Sequence, residues 1–204
     1  MTPLFGSKKL IDSETQNVES VATVYALLGR LWMQEVDAPL LKGMAEEPLL
    51  SALSQLGLSL PSESVEQLAM EYCALFIGPK NALLPMQSVW QKTQLDSQSA
   101  SSVAKFAELI SYVMPAPALW DHLGVQLDLM SHLMLATRSQ KKRDDEGNIA
   151  DEVATAFFER HLKWSSPLLL GTSQRARLPL YRSLAEITQQ FLKMESNVRS
   201  STSL

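Results

Sequence analysis

The chain has 204 residues, of which 46% are hydrophobic and 20% are charged, and its formal net charge is −4. This composition is that of an ordinary globular protein and excludes a disordered or collagen-like chain. No apolar run approaches the ~18 residues that a membrane-spanning helix needs, and the N-terminus lacks the apolar core of a secretory signal. Cys73 is the only cysteine, so no internal disulfide can form, which agrees with a reducing cytoplasm.

The charge is divided unevenly along the chain. Residues 1–115 carry 7 Lys and Arg against 12 Asp and Glu, whereas residues 116–204 carry 11 against 10. An acidic N-terminal half argues against nucleic acid as the main partner, because phosphate binding needs a basic surface. It suits a basic ligand, although the same charge also serves solubility.

Apolar residues recur at three- and four-residue intervals along most of the chain, and the eight glycines form no Asn-Gly or Asp-Gly hairpin signal. The pattern predicts an all-α fold, a single-domain helical bundle over residues 1–204. Within it, we expect residues 1–13 to form a loose arm and residues 196–204 a frayed tail. Residues 97–117, which begin with a serine-rich stretch and end with Pro115-Ala116-Pro117, form a candidate hinge.

The helix limits follow from capping signals and from breaks in the periodicity. A capping-box spacing at Ser13 predicts a first helix to about Gln34, and Asp37-Ala38-Pro39 starts a second. Further helices are predicted over 48–56, 62–77, 103–114, 122–140 and 149–164, and from about 178 onward. Pro167–Gly171 reads as a short apolar link, and the charged run from 141 to 148 as a solvated loop.

The stretch Glu71–Trp90 is the most unusual part of the chain. Its first half ends an amphipathic helix at Gly78-Pro79, where glycine is expected to take a positive φ and proline stops the hydrogen-bond ladder. The following loop is apolar with neither a helix nor a strand period. Such a loop either packs onto the protein or is held ready for a partner.

Few residues are arranged for catalysis or metal binding. The chain has no phosphate-binding glycine loop, no Gly-x-Ser-x-Gly and no paired Cys-x-x-Cys. Cys73 lies beside an apolar stripe, where thiols are usually buried and inert. Asp128 and His132 share a predicted helix face but make an incomplete metal site. We therefore predict no catalytic residue, no cofactor and no metal.

Two interpretations of Asp121-His122 stay open at this level. Asp121 follows the proline connector and is well placed as an N-cap or first-turn acid of the next helix. Alternatively, Asp121 accepts hydrogen bonds from a basic ligand, with His122 as a donor beside it.

Together these residues resemble the TorD/DmsD family of cytoplasmic chaperones for twin-arginine-exported molybdoenzymes. Four blocks carry the resemblance in the family's order, over about residues 20–195. They are Tyr72-x-x-Leu75-Phe76-x-Gly78-Pro79 with Pro85-Met86-Gln87-Ser88-Val89-Trp90, then Asp121-His122-Leu123, then Phe158-x-x-His161-Leu162, and finally Tyr181-Arg182-Ser183-Leu184-Ala185. The chain departs from the family at Trp120, where Glu or Ala is usual, and at Met86-Gln87, where relatives have Trp-Gly or Tyr-Ala.

The resemblance implies a binding protein in the cytoplasm rather than an enzyme. Its partners would be the twin-arginine leader and the body of a molybdenum reductase precursor of the dimethyl sulfoxide or trimethylamine N-oxide type, held back from export during cofactor insertion. The chain would act as a monomer or a domain-swapped dimer, without inserting into the membrane. The implied leader-binding residues are Tyr72, Leu75, Phe76, Pro85, Met86, Ser88, Trp90, Asp121 and His122.

Two other functions remain open beside this one. The first is a helical scaffold whose apolar loop simply closes the core. The second is a weak nucleotide hydrolase of the GTPase kind, against which the missing phosphate loop argues.

Overall fold

The computed structural model of the chain describes residues 5–47, 49–91, 96–114, 119–141 and 147–202. These residues form α-helices joined by one π-helix and one short 3-10 turn, and none of them belongs to a β-strand. The predicted all-α fold is therefore confirmed. The helices are α1 Phe5–Met33, α2 Ala38–Met44, α3 Leu49–Gln55, α4 Val65–Tyr72, the π-helix Cys73–Ile77, α5 Gln87–Gln91, α6 Asp96–Leu109, α7 Leu123–Lys141, α8 Gly147–His161, the 3-10 turn Lys163–Ser165, α9 Ser166–Arg175 and α10 Pro179–Thr202.

Helix limits agree with the sequence where a capping side chain is present. Helix α2 begins after Asp37, whose carboxylate accepts a hydrogen bond from the Leu40 amide at 2.8 Å. Helix α4 begins after Ser64, which forms a reciprocal capping box with Gln67. Its start at Val65 lies three residues beyond the predicted one, because the cap is this second serine rather than Ser62.

Three segments predicted without regular structure are helical. Helix α1 begins at Phe5, inside the predicted loose arm 1–13, and α10 continues to Thr202, inside the predicted tail 196–204. The serine-rich start of the candidate hinge 97–117 lies in α6, because Ser, Gln and Ala are tolerated in helices and no Gly or Pro interrupts them. The Pro115–Pro117 connector and residues 142–146 of the charged loop lie outside the described residues.

The predicted apolar link Pro167–Gly171 is also helical, since it lies within α9. Proline occupies the first turn of this helix, where its missing N–H has no helical partner to lose. Leu168 and Leu169 are buried on the face that packs inward. The segment is thus part of a helix that buries Leu168 and Leu169 and leaves Leu170 exposed, rather than a connection.

Helices α1 and α7 cross at unusually short range, and two glycines make the contact. A Cβ atom on Gly124 would lie 2.6 Å from the Met33 nitrogen, and one on Gly29 would lie 2.9 Å from the Asp128 nitrogen. Real Cβ atoms do not approach backbone this closely, so only glycine allows these backbones to meet. This crossing places the first turn of α7 against the C-terminal half of α1.

An aromatic cluster joins α1, α4, the π-helix and α10 beside that crossing. The ring centroids of Tyr72 and Phe76 lie 5.1 Å apart, and those of Trp32 and Phe76 lie 5.4 Å apart, both edge to face. Tyr181 stands 6.1 Å from both Tyr72 and Phe76. The polar atoms are satisfied too: the Trp32 indole donates to Thr188 and the Tyr181 hydroxyl donates to the Leu68 carbonyl. Such clusters supply both buried area and specific geometry.

Of the helices in the described ranges, none is at once long and apolar enough to span a membrane.

Replacing Gly124 with alanine tests the helix crossing. Its added methyl group meets the α1 backbone, so Gly124→Ala should lower the free energy of unfolding by about 1–3 kcal/mol. Gly43, in α2, is the matched control, because a Cβ there meets nothing within 4 Å. Gly43→Ala should leave stability unchanged or raise it by up to ~1 kcal/mol. Urea unfolding of both variants measures the difference, and equal effects would contradict the close crossing.

Candidate functional site

The apolar loop after α4 begins at a π-helix, Cys73–Ile77. The Gly78 amide donates to the Cys73 carbonyl at 2.7 Å, five residues back, as the wider π turn requires. The Leu75 carbonyl then accepts from the Leu83 amide at 2.7 Å, which ties the loop back onto the helix that precedes it. A single π turn of this kind is frequent at functional sites.

Gly78 ends this helix for a reason other than the predicted one. Its φ is −53°, so the positive φ expected at a C-cap is wrong. A Cβ on Gly78 would lie 3.3 Å from the Cys73 carbonyl oxygen, tighter than most real Cβ contacts. Glycine is needed here for space beside the π turn rather than for a left-handed backbone.

The loop is fastened directly to Asp121-His122 by backbone hydrogen bonds. The Gln87 amide donates to the Asp121 carbonyl at 2.9 Å, and the Leu123 amide donates to the Pro85 carbonyl at 2.8 Å. Met86 and His122 consequently pair as an isolated antiparallel bridge. The two sequence blocks therefore form one continuous structure.

Asp121 caps a helix other than its own. Its carboxylate accepts from the Ser88 amide at 3.3 Å, in the first turn of α5. The side chain is buried, and helix α7 starts only at Leu123. Asp121 is therefore a helix cap, as one of the two interpretations predicted. The helix that it caps is α5, which is distant in the sequence, rather than α7, which follows it.

His122 is held as a neutral imidazole. Its Nδ1 accepts from the Gly124 amide at 3.0 Å, which leaves the proton on Nε2. Burial lowers the pKa of His122 to about 4, and the nearby Asp121 charge only partly opposes this shift. At neutral pH His122 is therefore an uncharged donor through Nε2, as the ligand-binding interpretation of this residue requires.

Three of the predicted leader-binding residues lie in the core. Tyr72, Leu75 and Phe76 are buried, and the Tyr72 hydroxyl donates to the Trp32 carbonyl at 3.2 Å. Burial raises the pKa of Tyr72 to about 12, with smaller contributions from Glu35 and Cys73. These three side chains belong to the same core cluster as Leu83, and Trp90 packs against that cluster.

The remaining predicted residues lie on or under one exposed surface. Pro85 is buried, whereas Met86, Ser88 and Trp90 are half-buried. The Trp90 indole donates to the Leu84 carbonyl at 2.8 Å, which closes the loop on itself. Leu84 and Val89 stay 40% and 46% exposed although the loop is fastened at several points. We call the side chains of Leu84, Met86, Ser88, Val89 and Trp90 the loop surface.

Gln87 is the residue of this loop that sequence reasoning missed. It starts a short helix, α5, in a segment predicted to have no period, and it is 2% exposed. A glutamine buried in an otherwise apolar loop is a detectable signal, because burying an amide is costly unless its hydrogen bonds are satisfied. In the sequence, the apolar residues on either side drew attention away from this glutamine.

Other chemistry-bearing residues stay apart from this site. Asp128 and His132 share a face as predicted, with 3.9 Å between their nearest atoms, and the Tyr112 hydroxyl donates to Asp128 at 2.7 Å. In the part of the chain that is described, no three His, Cys, Asp or Glu side chains are grouped as a metal site. Cys73 is exposed, contrary to its predicted burial.

The chain is similar to known proteins over most of its length. Residues 38–169 match the family model described as nitrate reductase delta subunit, a range that covers more than half of the chain. A protein named chaperone protein TorD from Escherichia coli O81 is 25% identical over 203 residues, which cover 89% of this chain and 98% of that protein.

Two further relatives carry the same name. The chaperone protein TorD of Escherichia coli strain K12 and that of Shigella boydii serotype 18 are each 28% identical over 138 residues. In both, the matched region covers 58% of this chain and 67% of the relative.

Removing the Asp121 carboxylate should loosen the loop helix. We expect Asp121→Ala to lower the free energy of unfolding by about 1 kcal/mol, as for other lost N-caps. Asp37→Ala, at the cap of α2, is the matched control and should cost a similar amount. Hydrogen exchange separates the two: only Asp121→Ala should accelerate exchange of the Ser88 amide. Unchanged Ser88 protection would contradict the cap.

Acid should destabilise the protein through two buried histidines. Burial lowers the pKa of both His122 and His161 to about 4, against an ordinary value of 6.5 for histidine. Between these values the unfolded chain binds more protons than the folded one, so stability is full above about pH 6.5 and falls as the pH drops toward 4.

The histidine contribution can be measured by denaturant unfolding at several pH values. His122→Gln and His161→Gln should each reduce the acid-induced loss of unfolding free energy by about 1–2 kcal/mol. His132→Gln is the control, since its side chain is 54% exposed. If the unfolding free energy depended on pH equally in all three variants, the two buried histidines would not be its source.

Proposed function

This chain belongs to the nitrate reductase delta subunit family, and we propose that it is a cytoplasmic chaperone that binds the twin-arginine leader of a molybdoenzyme precursor. In this role it holds the precursor while its cofactor is inserted and prevents premature export. The client would be a reductase of the dimethyl sulfoxide or trimethylamine N-oxide type. The named relatives are chaperones rather than enzymes, which supports a binding function.

The observation that carries the proposal is an apolar surface that is both exposed and rigid. Leu84 and Val89 remain exposed, while the backbone beneath them is bonded to the π-helix, to Asp121 and to Leu123. Closing the core does not require such exposure, which disfavours a plain scaffold. A fastened loop loses little conformational entropy when a partner binds, so its apolar area is available for affinity.

The chemistry of a twin-arginine leader matches this surface. Such a leader offers two adjacent guanidinium groups followed by an apolar segment that readily forms a helix. We infer that the apolar segment lies on the loop surface, in the manner of an amphipathic helix on a groove. An Arg guanidinium binds a carboxylate strongly, and the two oxygens of Asp121 have acceptor capacity beyond the bond to Ser88. His122 adds a neutral donor beside it for a peptide carbonyl.

The nine predicted residues then divide into two roles. Met86, Ser88 and Trp90 contact the leader, with Asp121 and His122 at its polar end. Tyr72, Leu75, Phe76 and Pro85 hold the loop from below, since all four are buried. The leader site is therefore smaller and more local than the sequence suggested.

Titration calorimetry with a synthetic twin-arginine leader tests this function. We expect saturable binding by the wild-type protein and a loss of about tenfold or more for Trp90→Ala, because central tryptophans dominate interfaces. Met194→Ala removes an apolar side chain that is 61% exposed on α10, and it should bind as the wild type does. Equal losses in both variants, or no heat with the wild type, would overturn the proposal.

The arginine requirement is tested separately with Asp121→Asn. Asparagine keeps an oxygen for the Ser88 amide but removes the charge, so stability should hold while leader affinity falls about tenfold. A leader with both arginines changed to lysine should bind the wild type more weakly, because lysine lacks the planar fork. Equal affinity for both leaders would exclude recognition of the twin arginines.

A further inference from the structure

A chain of buried hydrogen bonds runs from the 3-10 turn through α7 to the loop and on to α8. The Trp164 indole shares its one N–H between Gln126 Oε1 and the His161 carbonyl, each at 2.8 Å, and Gln126 Nε2 donates to Gln87 Oε1 at 2.7 Å. Gln87 Nε2 then donates to the Arg160 carbonyl at 3.0 Å. Gln126 is fully buried, and Trp164 is nearly so.

The direction of this chain is set by its first donor. An indole nitrogen can only donate, so Trp164 requires the oxygen of the Gln126 amide to face it. The nitrogen of Gln126 must then face Gln87, which turns the oxygen of Gln87 toward Gln126 and its nitrogen toward Arg160. Rotating either amide by half a turn would bring two donors or two acceptors together. The orientation of Gln87 is therefore unique.

The same orientation selects one form of His161. Its Nδ1 lies 3.0 Å from Gln87 Oε1, which can only accept, so Nδ1 carries the proton. Its Nε2 then accepts from the Ser102 hydroxyl at 2.9 Å. His161 is 1% exposed and is enclosed by the rings of Phe106 and Phe157.

Gln87 uses its full hydrogen-bonding capacity. The oxygen accepts from Gln126 and His161, and the nitrogen donates to Arg160 and to Gln91 Oε1 at 2.9 Å. The partners lie on α5, α7 and α8, so one side chain ties the loop helix to two others. An amide buried with all four bonds made specifies a position, because any displacement leaves some of them unsatisfied.

We propose that Gln87 is the positioning residue of the leader site, holding the loop surface in its binding geometry through His161, Gln126 and the Arg160 carbonyl. The effect of Gln87 on leader binding rests on the proposed function, whereas its effect on the position of the loop does not depend on any ligand. Gln87 itself does not contact the leader. It acts through the backbone of the loop, in which the Gln87 amide donates to the Asp121 carbonyl and the Pro85 carbonyl accepts from the Leu123 amide.

The test compares Gln87→Met with Thr188→Val. Methionine matches glutamine in length and removes all four bonds. Thr188 is a fully buried control whose hydroxyl accepts from Trp32 and donates to Leu184, so valine there removes buried hydrogen bonds near the aromatic cluster. Both variants should lose global stability by similar amounts. Only Gln87→Met should accelerate exchange of the Ser88 and Leu123 amides, by about tenfold for each local bond weakened.

Leader affinity provides the second readout, and it should fall about tenfold in Gln87→Met alone. If both variants showed equal amide exchange and equal leader affinity, Gln87 would contribute only to overall stability, and the inference would be overturned. If the wild type binds no leader while the exchange difference persists, the proposed function fails and the positioning role stands.

The wild-type protein supplies a check that does not depend on a variant folding. Nitrogen-15 spectra of the imidazole should show His161 neutral and protonated at Nδ1 at pH 7. Protonation at Nε2 instead would reverse the bond to Gln87 and overturn the proposed arrangement.

Discussion

The close crossing of α1 and α7 is the constraint on which the rest of the structure depends. Gly29 and Gly124 let the two backbones meet, and no side chain fits between them. Because Gly124 lies in the first turn of α7, the crossing also places the residues just before it, Asp121 and His122. The loop after the π-helix is built onto these two residues. A contact between helices in the core therefore determines the shape of an exposed surface.

The loop surface owes its rigidity to three kinds of attachment. Backbone bonds join it to Leu75, Asp121 and Leu123; the Asp121 carboxylate caps α5; and the Gln87 amide reaches into the core. Each kind satisfies polar groups that an apolar loop cannot satisfy alone. The result is a surface that combines exposed leucine and valine and a half-buried tryptophan with an ordered backbone. Peptide-binding sites need this combination, since flexible apolar loops lose binding free energy when they are ordered.

The sequence predicted most of the fold because helical periodicity and capping are local signals. The C-terminal end of α1, the start of α2 and both ends of α7 follow from such patterns to within one residue, whereas the grouping of the loop with Asp121-His122 followed from the family resemblance. The π-helix, α5 and the helical character of 167–171 were missed, since each is stabilised by contacts with distant segments. The buried state of Leu75 and Phe76, and the capping target of Asp121, likewise depend on which helices cross. A one-dimensional pattern shows that such residues belong together but not which of them faces outward.

The π-helix restricts how this segment can change in length. Its extra residue separates the apolar stripe of α4 from the loop while keeping both in register with the core. Loss of one residue within Cys73–Ile77 would restore the α pitch and turn the residues beyond it by about 100° around the helix axis. The Leu75 carbonyl would then no longer meet the Leu83 amide. Insertions and deletions that an exposed loop tolerates would therefore break this geometry within these five residues, and the π turn fixes the spacing from Tyr72 to Pro79.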